Sequence, residues 1–203
     1  MYNIRQYDSY TSYHGERQAN FVNKRLLSII ISAAILAVLL VGCGANSGNS
    51  ESDGFPDLLS FTAQTLDGGE FTARDFADAD LTMINVWGTY CGPCLREMPE
   101  LAQLAKTLPN NVRMITFCID ASDQADTARE ILDDAGFEGI TLVSGDGDLE
   151  KLLQTLQYVP TTVFVDSEGR QVGEAAIGSP GNVAEFYTDA INAALTALGK
   201  DNI

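Results

Sequence analysis

An α/β fold is the class this sequence predicts, and three observations predict it. Between Phe55 and Ile203, short apolar runs of strand length alternate with segments whose apolar residues recur at helical spacing. No internal repeat breaks that alternation. The composition, 45% hydrophobic and 20% charged over 203 residues, is that of a globular chain with room for one core and an additional segment.

The additional segment comes first. Leu26 to Gly42 reads LLSIIISAAILAVLLVG, uncharged throughout and preceded directly by Lys24 and Arg25. Crossing a bilayer takes roughly 17 to 25 such residues, and basic flanks stay on the cytoplasmic side. The run is therefore an export signal or a membrane anchor, and the chain beyond it is expected to be extracytoplasmic. It ends Leu40-Val41-Gly42-Cys43, which resembles the bacterial lipobox, where the signal is cut before a lipid-bearing cysteine. Small Gly42 and the shortness of the run favour lipidation of Cys43 over an uncleaved anchor, whereas the long polar stretch 1–25 is unusual for a signal. The expected division is a signal or membrane segment with lipobox over 1–42, a lipidated Cys43 and flexible tether over 43–54, and a domain over 55–203.

Within the domain, residues 59–72 read as a hairpin turned by Asp67-Gly68-Gly69. Leu81 to Trp87, LTMINVW, is a buried strand. Beyond Cys94, the residues Met98, Leu101, Leu104, Ala105 and Leu108 recur at helical spacing, and Pro99 is expected to kink that helix without ending it. Val112 to Ile119 is the next strand. A helix from Ser122 or Asp123 to Gly136 turns Ala128, Ile131, Leu132 and Ala135 inward. Ile140 to Val143 is a short strand, and Leu149, Leu152, Leu153 and Leu156 mark a helix entered through Ser144-Gly145-Asp146-Gly147-Asp148. Those aspartates fit acids at a helix N-terminus better than a calcium loop, since no closing glutamate follows at the required spacing. Thr161 to Val165 and Gln171 to Ile177 make a second strand pair. Ser179 and Pro180 then open a last helix with Val183, Phe186, Ala190, Ile191, Ala194 and Leu198 on its inner face.

Charge and composition exclude whole classes of function. With 12 basic against 28 acidic side chains the net charge is −16, which repels nucleic-acid phosphates. The single histidine, His14, precedes the domain, so a Ser-His-Asp triad or a histidine-ligated metal is excluded there. The acidity itself reads as solubility.

The chemistry is expected in Trp87-Gly88-Thr89-Tyr90-Cys91-Gly92-Pro93-Cys94, where a buried strand turns into a helix. Two cysteines three apart at a helix start can close a small disulfide ring, stiffened here by Pro93. Cys91 sits where unpaired N–H groups and the helix dipole favour a thiolate, so it is the expected nucleophile. Cys94, one turn further in, is expected to attack the mixed disulfide and release product. A zinc site would need two more ligands, and the domain offers only Cys118. A purely structural disulfide is the other alternative, since export permits one. Cys118 itself reads as a buried free cysteine in preference to a third redox thiol. Trp87 is expected both to pack and to wall the disulfide, changing its fluorescence on reduction.

The strand, Trp87, the CGPC tetrad, the helix, and Tyr158-Val159-Pro160-Thr161-Thr162 about 65 residues later together resemble the thioredoxin superfamily. Within it, Ile84-Asn85-Val86-Trp87-Gly88-Thr89-Tyr90-Cys91 and the anchor resemble the TlpA/ResA group of membrane-tethered thiol-disulfide oxidoreductases. The resemblance spans nearly all of Phe55 to Gly199. It implies a thioredoxin-like fold, a central mixed sheet flanked by helices with an N-terminal β-hairpin extension. It also implies that Pro160 is cis and lies against the disulfide, leaving the backbone before it free to pair with a substrate strand. Taken alone, Val159-Pro160 reads equally as an ordinary trans strand start. The substrate-binding residues expected from the resemblance are Trp87, Gly92, Pro93 and Val159. Thioredoxins proper carry a buried aspartate where Asn85 stands, and Asn85 cannot take a proton. Glu97 matches a glutamate of ResA-like proteins and is expected to transfer protons, its pKa raised by burial; a solvated glutamate at a helix start is the alternative.

The expected function is an extracytoplasmic, membrane-anchored disulfide reductase with no cofactor beyond its own disulfide and a covalent lipid at Cys43. The resemblance implies exported proteins with cysteine pairs as partners, apocytochrome c among them, and a CcdA/DsbD-type membrane thiol transporter as electron donor. A thiol peroxidase or oxidase of the same fold is the alternative enzyme, although the peroxidatic Pro-x-x-x-Thr-x-x-Cys pattern is missing before Cys91. A Cu(I) chaperone using the two thiolates is the alternative from another class.

Overall fold

The computed structural model describes residues 54–203. The signal or anchor over 26–42, the lipidation of Cys43 and nearly all of the tether lie outside the described residues. The chain divides into two compact units, and the second, Glu51–Ile203, holds the domain. Among the described residues no helix is long and apolar enough to cross a membrane.

Strand β1 (Thr62–Thr65) and strand β2 (Glu70–Thr72) pair antiparallel as the expected hairpin. Gly68 takes the positive φ of +84° that closes the turn. A 3-10 helix, Ala73–Asp78, leads to β3 (Leu81–Trp87), all seven of whose residues are buried. Helix α1 (Gly92–Thr107) contains Pro99 and is followed by β4 (Val112–Cys118) and α2 (Ala121–Ala135), which ends at Gly136 in the left-handed conformation. Next come β5 (Thr141–Gly145), α3 (Gly147–Thr155), β6 (Thr161–Asp166), β7 (Ala176–Ile177) and α4 (Val183–Ala197).

The strands form one sheet in the order β2-β1-β5-β4-β3-β6-β7. β3, β4 and β5 run parallel at its centre, while β6, β7 and the hairpin add antiparallel strands on the two sides. The mixed, helix-flanked sheet and its hairpin extension are those the resemblance implied. Alternation along β3 divides the core. Leu81, Met83 and Trp87 join the cluster under α1, α2 and α4, and Ile84 and Val86 join the opposite cluster with Phe61, Phe71, Phe76, Leu149 and Leu152. Truncating a side chain such as Met83, which has no exposed surface, costs about 2–5 kcal/mol.

Three expectations need correction. Gln171 to Ile177 is not a continuous strand: a single bridge joins Gln171 to Val165, Gly173 turns away at φ +70°, and pairing resumes only at Ala176. The last helix starts at Val183, not at Ser179-Pro180, because Asn182 caps it by accepting from the Glu185 N–H. With that start, Tyr187 points inward with no exposed surface, and Phe186 is 43% exposed, packed edge-on against the Tyr187 ring.

The aspartates before α3 act as structural acceptors. Asp146 takes the Thr62 N–H at 2.6 Å and Asp148 the Ser60 N–H at 2.8 Å, tying the start of the hairpin to the helix. Gly147 between them has φ +57°, and a Cβ there would lie 2.3 Å from the Ser60 carbonyl oxygen, so only glycine fits.

Candidate active site

β3 delivers the CGPC tetrad to the edge of the sheet, and Cys91 becomes the N-cap of α1. Cys91 and Cys94 form a disulfide with an S–S distance of 2.01 Å, and the Cys94 N–H donates to Cys91 Sγ at 3.2 Å. That bond occupies one of the four N–H groups a helix start leaves unpaired, and the same groups would hold a thiolate after reduction. The two cysteines are not equivalent. Cys91 retains 6% exposure and Cys94 none, so an incoming sulfur can reach only the first.

The segment before β6 completes the site. The Val159-Pro160 bond is cis, as the resemblance implied, and the Val159 carbonyl oxygen lies 3.5 Å from Cys91 Sγ. Gly92 and Pro93 are exposed on the outer side of the disulfide. Tyr90 and Tyr158 are 70% and 66% exposed, and together with Leu153, Leu156 and Val159 they line a groove of about 330 Å³ that reaches the segment before Pro160. Neither tyrosine was singled out by the sequence. Trp87 differs from expectation: it has no exposed surface, so it packs behind the disulfide and cannot touch a substrate.

Glu97 lies three residues after Cys94, on the same face of α1, at 1% exposure. The solvated alternative is thereby excluded. Desolvation raises its pKa above the usual carboxylate range, against smaller opposing contributions from the Ser179 and Asn85 side chains. Asn85 Nδ2 donates to Glu97 Oε1 at 3.1 Å and to Thr162 Oγ1 at 3.0 Å, and Thr162 Oγ1 lies 3.0 Å from the Tyr187 hydroxyl. Sequence reasoning found the first two residues of this chain and missed Thr162 and Tyr187. A polar residue in register with Asn85 was the available signal for Thr162, once β6 pairs with β3.

Cys118, at the end of β4, is free and fully buried. Its thiol donates to Asp120 Oδ1 at 3.2 Å, and desolvation together with that acceptor pushes its pKa up to about 12. It therefore stays a protonated core thiol at neutral pH. Among the described residues no group of three His, Cys, Asp or Glu side chains is arranged to hold a metal ion.

Residues 51–189 match the family model described as Redoxin. The thiol-disulfide oxidoreductase ResA of Bacillus cereus is 23% identical over 150 residues, covering 73% of this chain and 83% of that one. The thioredoxin-like protein YneN of Bacillus subtilis is 26% identical, covering 68% of this chain and 84% of that one. Among solved structures, a thiol:disulfide interchange protein of the thioredoxin family from Chlorobium tepidum superposes with a TM-score of 0.58 at 19% identity, covering 72% of this chain and 99% of that one. That likeness bears on the fold.

Proposed function

The chain belongs to the redoxin family, and on that premise we propose that it is a thiol-disulfide oxidoreductase that reduces disulfides of exported proteins from a membrane-held position. The observation that carries the reading is the asymmetry of the disulfide: a reachable Cys91 sulfur at the helix N-cap, a sealed Cys94, and the Val159 carbonyl beside the first. In the reduced enzyme the Cys91 thiolate attacks one sulfur of the substrate disulfide, whose other sulfur leaves as a thiolate and takes a proton from water. Cys94, its proton passed to a nearby base, then attacks Cys91 Sγ, closing the Cys91–Cys94 disulfide and releasing the second substrate sulfur as a thiolate that takes a proton from water. Two electrons pass to the substrate, so each cycle ends with an oxidised enzyme that a dithiol donor must reduce.

The groove lined by Tyr90, Tyr158, Leu153, Leu156 and Val159 supports a polypeptide as substrate, since it offers apolar contact up to Val159, whose carbonyl lies beside Cys91. Glu97 supports the second step as proton acceptor for Cys94, being a buried carboxyl one helical turn away. The uncharged run 26–42 and the Gly42-Cys43 junction support attachment at the outer face of a cytoplasmic membrane, by lipid on Cys43. A reductase in an oxidising compartment needs electrons from across the membrane, so its donor is a thiol transporter of the CcdA/DsbD kind. Apocytochrome c belongs to the substrate class this arrangement serves, that of exported chains with cysteine pairs.

The reduction potential of the full chain in detergent, equilibrated in defined thiol buffers, tests the direction. A value near about −270 mV, as for thioredoxin, is expected of a reductase, whereas one near about −120 mV, as for DsbA, makes the protein an oxidant. A Cys94→Ser variant should accumulate mixed disulfides with its substrates, and substitution of Cys43 should release the protein from membranes if lipid alone anchors it.

A further inference from the structure

Four buried polar side chains line up beside the cluster under α1, α2 and α4. Glu97 on α1, Asn85 on β3, Thr162 on β6 and Tyr187 on α4 form a continuous hydrogen-bonded chain of four buried side chains from four elements. The chain ends inside the protein, because Tyr187 has no exposed surface, so it cannot deliver protons to water. It also has a fixed polarity. Both Asn85 Nδ2 hydrogens are spent, one on Glu97 Oε1 and one on Thr162 Oγ1, while Asn85 Oδ1 and Glu97 Oε2 have no partner.

We infer that Tyr187 and Thr162 are positioning residues that act through Asn85, holding Glu97 by Oε1 and reserving Oε2 for the proton exchanged with Cys94. The consequence for turnover rests on the oxidoreductase reading above. In that step the Cys94 proton moves to Glu97 Oε2 as the Cys91–Cys94 bond forms and the bond from Cys91 to the substrate breaks, the substrate sulfur leaving as a thiolate that water protonates. The reverse transfer accompanies reduction of the enzyme.

The orientation of the Asn85 amide is what Tyr187 controls. Asn85 presents one N–H to Glu97, which favours the ionised carboxylate. Thr162 can accept from Asn85 only while its own proton has another place to go or Tyr187 donates to it, and the Tyr187 hydroxyl, 3.0 Å away, meets both conditions. Without that hydroxyl, the Thr162 proton turns toward Asn85 and the amide reverses. Oδ1 then faces Glu97 and accepts from its protonated form. Tyr187 itself is held protonated by burial, its pKa raised to about 12, so its hydroxyl stays able to donate to Thr162 or accept from it across the working range. The titratable group that feels Glu97 from another element is Tyr187 on α4, Cys94 lies three residues before it on α1, and the neutral side chains on its carboxyl are Asn85 and the hydroxyl of Ser179.

Infrared spectroscopy of the full chain in detergent, titrated with pH and with Glu97→Gln identifying the carboxyl band, reads the effect directly. Tyr187→Phe should raise the midpoint of the Glu97 band by about one pH unit, the size expected when a hydrogen bond to the charged form is replaced by one to the neutral form. Thr162→Val should do the same, Thr162→Ser should leave the midpoint in place, and the Tyr187→Phe/Thr162→Val double variant should move it no further than either single one. An unmoved midpoint in folded Tyr187→Phe overturns the inference. Should that variant not fold, the contrast between Thr162→Val and Thr162→Ser decides in its place. Disulfide exchange with a model protein disulfide is followed in parallel. A shifted midpoint without any exchange activity in the unsubstituted protein leaves the positioning intact and removes the oxidoreductase reading, while activity with a fixed midpoint does the opposite.

Discussion

β3 and β4 lie side by side, parallel and in register, so that Trp87 is paired with Cys118 and both strands lead into helices at the same edge of the sheet. Each turn carries a cysteine close to a helix start. In the first, Cys91 is itself the N-cap, and the Cys94 N–H points at its sulfur. In the second, Cys118 is the last strand residue, fully buried, and its thiol donates to Asp120, the residue at the cap position of α2. The dipole of the following helix is available at both places. At the first it meets a sulfur, and at the second the cap position belongs to Asp120, whose carboxylate makes no side-chain bond to the helix and accepts from Thr89 and Cys118. Burial opposes ionisation of Asp120, but the Thr89 hydroxyl and N–H, with the Cys118 thiol, outweigh it and hold its pKa below the usual range. A charge on Cys118 would thus be desolvated and face a neighbouring anion. The comparison teaches that occupancy of the cap position, more than proximity to a helix, decides which sulfur is reactive.

The largest expected effect breaks the comparison outright. Cys91→Ser should reduce catalysed disulfide exchange to the rate of the reductant alone, while Cys118→Ala should leave turnover near the unsubstituted rate and cost about 1 kcal/mol in lost packing. Comparable losses of turnover in both variants would assign Cys118 a redox role. Alkylation of the reduced protein gives the next contrast. With a pKa of about 12, roughly one Cys118 thiol in 10⁵ is ionised at pH 7, so iodoacetamide followed by peptide mass analysis should find Cys91 modified and Cys118 untouched.

The reactive turn was legible in the sequence because its chemistry is local. A buried strand, a CxxC spacing and a proline sit within a dozen residues, and their geometry follows from how a helix begins. Asn85 was noted only through the resemblance, as standing where thioredoxins carry a buried aspartate. What escaped was what depends on helix phase and strand partners. Phe186 and Tyr187 are adjacent aromatics about 100° apart around a helix, and only the actual start at Asn182 decides which faces inward. Thr162 carries meaning only through its pairing with Asn85, which no local pattern encodes. Trp87 illustrates the converse error: its proximity to Cys91 in sequence suggested a substrate wall, but strand alternation drives it into the core.

A smaller perturbation sharpens the comparison at its second turn. Asp120→Asn removes the anion beside Cys118 and weakens the bonds Asp120 accepts from the Thr89 N–H and hydroxyl. The variant should lose about 1–2 kcal/mol in urea unfolding, through the charged hydrogen bonds it no longer makes. It should also lower the pH at which Cys118 ionises, because the hydrogen-bonding and charge contributions of Asp120 to the raised pKa disappear while desolvation remains. An unchanged ionisation in the thiolate absorbance would mean that burial alone silences this sulfur.

The weakest signal is a slope of stability with pH, to which Glu97 and Cys118 contribute as two acids whose pKa the fold raises. Glu97 has its folded pKa raised above the ordinary 4.5, chiefly by desolvation. Over the interval between the unfolded and folded values the native chain holds a proton that the unfolded chain has lost, so stability is full below 4.5 and falls as pH rises through the folded pKa. Cys118 behaves with the same sign at the other end of the scale, stability falling between pH 9.0 and about 12. Urea unfolding at a series of pH values should show both declines in the unsubstituted protein. Glu97→Gln should flatten only the acidic one and Cys118→Ala only the alkaline one. An acidic decline that survives Glu97→Gln would be assigned to other titrating groups, removing Glu97 as its source.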